Sequence, residues 1–315
     1  MIMKIIYMMF LFILSIHSLN STEENKGYIS KIDKPKISFS FDDGSTNDYK
    51  GYSNLVWNQM ILDALKKHDI NATIYVKGVA MDNEKGDEIL KQWGKAGHII
   101  GNHTYNHPYF NSSKVFALDM KNELLKTDDL IKNYEGFKKL FRFPYLKKGE
   151  NIAERDSFRT ILKEAGYKNG YVTIDASDWF IDGRLINSLK AGEEQIERYK
   201  QYFIEHIYER AMYYEKLSNE LTNRHINHTL LLHHNISAGL FLDDLIEYFK
   251  EKDWDVISQS VALADPIYDL TLDVMPSGES IVWSLAKSTG QYDELLRYPA
   301  ESGEYEQPKM DSLGL

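Results

Sequence analysis

Apolar and polar residues alternate along Ile37-Ser38-Phe39-Ser40-Phe41, the period of two that marks a strand with one buried face. The strand runs into Asp42-Asp43-Gly44, where two carboxylates meet a glycine that frees the backbone to turn. The chain then swings between helical and strand periods. Leu55, Met60, Ile61, Ala64 and Leu65 recur at helical spacing. Segments 87–96, 115–133, 155–165, 185–224 and 240–251 read as further helices, with Gly97 and Gly166 closing the first and third of these. Short apolar runs at 72–76, 98–102, 140–143, 170–174, 229–232 and 254–258 read as strands, the run at 140–143 halted by Pro144. Strands alternating with helices predict βαβ units and a mainly parallel sheet. Asp42, Asp43, His103, Arg142, Asp175 and His233 each follow a strand, the end at which a parallel barrel gathers its site. No glycine-rich phosphate loop follows the first strand, which disfavours an open doubly wound sheet. The expected fold is therefore α/β, a (β/α) barrel that is distorted or incomplete at about seven strands. A helical insertion, residues 185–228, precedes its last strand-end site.

Within that insertion, Ile196, Tyr199, Phe203, Ile207 and Tyr214 form a stripe that suits a packing face better than a sugar platform. Beyond Asp265 the pattern breaks down among Pro266, Pro276, Pro299 and Pro308, and residues 266–315 read as an irregular extension. At the other end, Lys4 precedes the apolar run Ile5 to Ile16 and a polar segment, the arrangement of a secretory signal peptide cleaved after Ser18. That run is shorter than the roughly twenty residues of a membrane-spanning helix. The expected organisation is a signal peptide at 1–18, a linker at 19–35, one domain at 36–265 and the extension at 266–315. The expected localisation is secreted, periplasmic or in the cell envelope, with no stable membrane insertion after cleavage and an uncleaved anchor as the alternative.

A net charge of −10 argues against nucleic acid as a partner. The absence of cysteine excludes disulfides, zinc–thiolate sites and thiol nucleophiles, so any metal must be held by His, Asp and Glu. His103 and His107 stand four residues apart, where a helical turn would bring both to one cation. Alone, that spacing equally fits paired surface histidines. With the acidic corner one unit earlier it makes a two-His, one-Asp set with positions left open for water, the pattern of catalytic zinc. Asp43 is the natural third ligand and Asp42 the natural base. Arg142 beside Asp42 would keep that acid ionised. Asp175-Ala176-Ser177-Asp178-Trp179 brings one or two carboxylates and an aromatic wall, and His233 ends the most apolar strand with a titratable group.

The stretches S-F-D-D-G, H-T-Y-N-H, R-F-P-Y, D-A-S-D-W and L-L-H stand in the order of the five motifs of polysaccharide deacetylases, carbohydrate esterase family four, which the chain resembles from about Lys36 to Ser260. The resemblance implies hydrolysis of acetyl groups from a polysaccharide, by N-deacetylation of an N-acetylglucosamine-containing polymer such as chitooligosaccharide, peptidoglycan or exopolysaccharide. It implies one divalent metal, zinc with cobalt or nickel as alternatives, held by Asp43, His103 and His107. Asp42 is then the base, Arg142 its tether, His233 the general acid and Asp175 the group that tunes that histidine. Trp179 and Leu231 would line the acetyl pocket, and the Tyr145 backbone N–H would bind the oxyanion. His233 is followed by His234-Asn235, and Leu232-His233-His234 also satisfies leucine-x-histidine; the apolar run ends at His233, which favours that residue. His68, His98, His206, His225 and His228 lack partners at ligand spacing and read as structural or surface groups. An O-acetyl esterase on xylan, a deacylase of small amides, and a non-catalytic carbohydrate-binding protein are the alternative readings; loss of the base or a metal ligand would mark the last, and neither is lost.

Overall fold

The computed structural model describes residues 34–192 and 195–315; the leader and nearly all of the linker lie outside them. Among the described residues there are seven strands: β1 (Lys36–Asp43), β2 (Thr73–Val76), β3 (Ile99–Asn102), β4 (Phe137–Phe141), β5 (Lys168–Asn169), β6 (Asn227–His233) and β7 (Asp255–Val256). Every pairing is parallel, in the order β5-β4-β3-β2-β1-β6, with β7 against the start of β1. The sheet curls toward closure: past β5 the chain crosses to β6, where Ile174 bridges Leu230. Residues 170–174 are thus a closing segment rather than the regular strand their β-branched residues suggest. Only their end bonds to β6, the Leu231 N–H donating to the Ile174 carbonyl.

β1 is the axis of the curl. Ile37, Phe39 and Phe41 point outward to the helices, with Phe39 against Phe249 and Phe41 against Trp93. Helices Asn54–Lys67, Glu84–Lys95 and Ile236–Glu251 cover that face and bury Trp57, Leu90 and Leu245. The period of two led to one buried face, yet Ser38 and Ser40 are as inaccessible as the phenylalanines. They face the barrel interior, where Ser38 donates to the His228 carbonyl and Ser40 to that of Leu230, so neither of these two hydroxyls is buried unpaired. The insertion folds as helices Asp178–Ala191 and Ile196–Thr222, and Tyr199, Phe203, Ile207 and Tyr214 of the stripe are buried, a packing face. Residues 266–315 depart from the expected irregular extension. They form helices Ile281–Thr289 and Gly303–Leu313, and Ile281, Val282, Ala286 and Met310 join the main core. Among the described residues no helix is long and apolar enough to cross a membrane.

Register sets the site. Asp43 pairs with Val76, Val76 with Asn102 and Asn102 with Phe141, while Asp42 pairs with His233. The strand ends form one row, and Lys77, His103 and Arg142 follow immediately beyond it.

Candidate active site

A cavity of about 490 Å³ opens at this row, lined among others by Asp42, Asp43, His103, His107, Tyr145 and His233. Asp175, Trp179 and Leu231 also face it. Five non-glycine residues of its lining hold left-handed backbone: Asp43 (φ 72), His107 (φ 61), Tyr145 (φ 55), Leu146 (φ 56) and Glu279 (φ 62). Each such residue costs of order 1 kcal/mol, strain that a fold retains where a particular side-chain direction is needed.

Asp42 is buried and accepts from Arg142 Nη1 at 2.6 Å. The guanidinium is fixed in turn: Nη1 also donates to Ser40 Oγ at 2.8 Å, Nε donates to the Gly170 carbonyl at 2.9 Å, and Tyr75 lies 3.9 Å beneath it. Arg142 is therefore interior, not a surface ion-pair partner. Burial pushes the Asp42 carboxyl up, and the Arg142 charge opposes it.

Asp43, His103 and His107 each bring a ligand atom within 4.8 Å of the others. The spacing of the two histidines arises from a tight turn with left-handed Thr104 and His107, not the expected helical turn. Glu123 accepts from the N–H groups of Tyr105 and Asn106 and pins that turn. His103 Nδ1 lies 2.9 Å from the Arg142 carbonyl; a carbonyl only accepts, so Nδ1 carries the proton and the Nε2 lone pair is free to bind. Burial pulls His103 down to about 4 and His107 to about 3, leaving both rings neutral. Burial would raise Asp43, but the positive charges of His233 and Lys77 oppose it, and the acid is held well below the usual carboxylate range. Lys77 takes Asp43 Oδ2 at 3.1 Å, while the buried Oδ1 has no hydrogen-bond partner. An orphaned carboxylate oxygen 3.7 and 3.5 Å from two neutral imidazole nitrogens is a donor set that fits a divalent ion.

Of the adjacent pair His233-His234, His233 is the one that lines the cavity. His234 turns into the core between Trp57 and Trp93 and bonds Asn58. The carboxylate beside His233 is Asp178 rather than Asp175. Asp178 Oδ1 meets the His233 Nδ1 at 2.7 Å, and Oδ2 accepts the His233 backbone N–H at 2.8 Å. Burial alone would lower His233; Asp178, with Asp43 and Asp42, pushes it up to about 10, an imidazolium at neutral pH. Asp175 instead faces Glu279 and Lys147 across the cavity, and burial with the Glu279 charge raises it to about 8. Trp179, half exposed, and buried Leu231 stand on the cavity wall, Leu231 packed with Leu146 and Val172.

Several lining groups lie outside the sequence-based expectation: Lys77, and the buried Lys147–Glu279 ion pair, which joins the loop after β4 to the C-terminal segment. Pro299, Glu301 and Ser302 complete the wall from that same segment. Lys77 alone was open to discovery, since it directly follows a strand.

A curled parallel sheet carries at its strand ends an Asp-His-His donor set that could hold a metal and a guanidinium-bound carboxylate. The family model "Polysaccharide deacetylase" matches residues 30–170. A peptidoglycan-N-acetylglucosamine deacetylase of Bacillus cereus is 32% identical over 147 residues, 46% of this chain and 47% of that one. A second Bacillus cereus protein of the same name is 30% identical over 165 residues, 50% of this chain and 69% of that one. The chain belongs to the polysaccharide deacetylase family, carbohydrate esterase family four. It spans about half the length of the first two curated relatives it matches, 47% and 52%. The fold is shared with the chitin deacetylase of Colletotrichum lindemuthianum, TM-score 0.51 at 20% identity, covering 74% of this chain and 89% of that one. It is shared equally with a family-four pseudoenzyme of Bacillus anthracis, TM-score 0.51 at 20% identity, covering 73% and 66%.

Proposed function

We propose that this chain is a metal-dependent N-deacetylase of an N-acetylglucosamine-containing polymer, with peptidoglycan favoured by the names of its relatives. The observation that carries the reading is one cavity holding a buried carboxylate, an imidazolium and the Asp43-His103-His107 donor set. Those three residues would hold a divalent ion, zinc with cobalt or nickel as alternatives, which when bound supplies Lewis acidity toward water and the acetyl carbonyl. Asp42 accepts the proton of the attacking water, its free oxygen directed by the bond that Arg142 makes to the other. The Tyr145 N–H, turned by its left-handed backbone, donates to the carbonyl oxygen as that oxygen gains charge. His233 gives its proton to the nitrogen as the C–N bond breaks, because an amine anion is too basic to depart; acetate and a free amine result. Trp179 and Leu231 form the walls for the acetyl methyl. The leader read at 1–18 supports export, which the N-terminal sequence of protein recovered from the cell envelope or medium tests.

Acetate release from chitooligosaccharides, peptidoglycan and acetylated xylan, before and after chelation and zinc add-back, tests the reaction. Acetate that vanishes with chelator and returns with zinc is the expected result. Release from xylan alone would replace the amide with an ester, and activity unchanged by exhaustive chelation would overturn the metal dependence.

A further inference from the structure

A second cluster of ligand-type side chains lies behind the cavity wall. His206 comes from the helix Ile196–Thr222, Glu301 from the segment before the last helix, and Glu306 from that helix, Gly303–Leu313. A ring nitrogen and one oxygen of each carboxylate lie within 4.8 Å of one another, and all three residues are nine-tenths or more buried. His206 Nε2 has no hydrogen-bond partner. Tyr202 Oη and Arg210 Nε, one turn to either side on the same helix, are also buried without one. Three orphaned polar atoms in successive turns are unusual, since buried polar groups are nearly always paired.

Cations already present compensate only part of the charge. Arg297 Nη1 lies 3.4 Å from Glu301 Oε2 and 3.1 Å from Glu306 Oε1, and Arg210 Nη1 lies 3.7 Å from Glu301 Oε1. Glu306 Oε2 accepts from Ser177 Oγ at 3.0 Å. Yet burial, with Asp175 nearby, still raises Glu301 to about 9, so its negative charge lacks a sufficient partner. Burial lowers His206 to about 3, which leaves a neutral imidazole with a lone pair to give. An imidazole and two carboxylates are a zinc-type donor set.

We infer that His206, Glu301 and Glu306 bind a second divalent cation of the zinc class, separate from the strand-end site. Zinc–ligand distances near 2 Å require the three donors to close by about 1 Å, within reach of glutamate rotamers. Arg297, a third exposed, has room to withdraw. The ion fastens the helix Ile196–Thr222 to residues 299–306, part of which walls the active cavity. Through Ser177, the residue capping the helix that Asp178 begins, it also steadies the turn that carries the partner of His233.

The test is metal stoichiometry on the full chain, stripped by chelation and dialysed against zinc, with bound metal counted by atomic emission. Wild type is expected to hold two equivalents, Asp43→Ala one, and Asp43→Ala/His206→Gln none. Cobalt in Asp43→Ala should give a visible d–d band that His206→Gln removes, and zinc should raise the Tm of Asp43→Ala by several degrees. Circular dichroism confirms that each variant is folded, and Glu306→Gln replaces His206→Gln if that variant is not. A folded Asp43→Ala chain that binds no metal overturns the inference and leaves an arginine-bridged clamp. A single wild-type equivalent lost with His206→Gln but retained in Asp43→Ala would uphold it while refuting the metal reading of the strand-end site.

Discussion

Asp178→Asn separates the two carboxylates of the D-A-S-D-W stretch. In the wild type, Asp178 Oδ1 lies 2.7 Å from His233 Nδ1, and the acid is fully buried. Two unit charges with centres about 4 Å apart interact by about 4 kcal/mol at an effective dielectric of about 20, which is about 3 pK units. The asparagine carbonyl still accepts from Nδ1, so a net fall of about 2 units is expected. His233 stands near 10, and its raised value means that the donor form is present at neutral pH and lost as pH rises through it. In the variant that loss occurs near pH 8. At pH 9 the protonated fraction then drops from about nine-tenths to about one-tenth, so the ratio of kcat at pH 9 to kcat at pH 7 should fall about ninefold. A bound divalent ion lowers His233 in both proteins alike, which makes the difference between their alkaline limbs the quantity to measure. The assay is initial acetate release from pH 5 to 10.5, with Asp175→Asn alongside. Asp175 does not touch His233 and should alter KM while leaving the alkaline limb in place. An unmoved limb in Asp178→Asn, or a limb displaced only in Asp175→Asn, would refute the assignment.

Asp42→Asn should retain metal and fold while losing about 10²- to 10⁴-fold in kcat, measured by acetate release with metal counted on the same sample; near-normal turnover would show another base. Arg142→Met removes a buried charge that Asp42, Ser40 and the Gly170 carbonyl all use, and should cost about 3–5 kcal/mol in denaturant unfolding. A loss under 1 kcal/mol would mean that Asp42 is solvated without it. Trp179→Ala should raise KM for oligosaccharide with little change in Tm, because the ring is half exposed on the cavity wall; an unchanged KM would remove it from the substrate surface.

The strand-end residues were legible because each carries its signal locally: an apolar run, then a polar side chain at the position where a parallel sheet exposes it. Asp42, Asp43, His103 and His233 carry that signal, His107 is marked by its spacing from His103 and Tyr145 by the family resemblance, and all line one cavity. The choice between Asp175 and Asp178 was not local. Asp178 opens the helix Asp178–Ala191, and only the proximity of that helix to β6 brings it to His233. The C-terminal segment was illegible for a related reason. Its prolines hide the helices, and its burial depends on long-range contacts, such as the Ile281 N–H donating to the Val172 carbonyl. His206 was set aside as structural because its carboxylate neighbours lie about a hundred residues further along the chain.

The two adjacent aspartates show how one strand end provides two different groups. Neighbouring residues of a strand face opposite sides, so Asp42 follows Ser38 and Ser40 into the interior, where Arg142 Nη1 meets both Ser40 and Asp42. Asp43 would then point outward among the helices. Its left-handed backbone (φ 72) turns it back to the same cavity, against His103, His107 and Lys77. That reversal depends on the next residue: Gly44 continues it at φ 91, and a Cβ there would sit 2.7 Å from Met81 Sδ. Any side chain at Gly44 must displace Met81 and strain the turn, which would move Asp43 while leaving Asp42 on its ladder. The division of the pair into a guanidinium-held carboxylate and a histidine-facing one is therefore set by backbone geometry at a single corner, not by a difference between the two side chains.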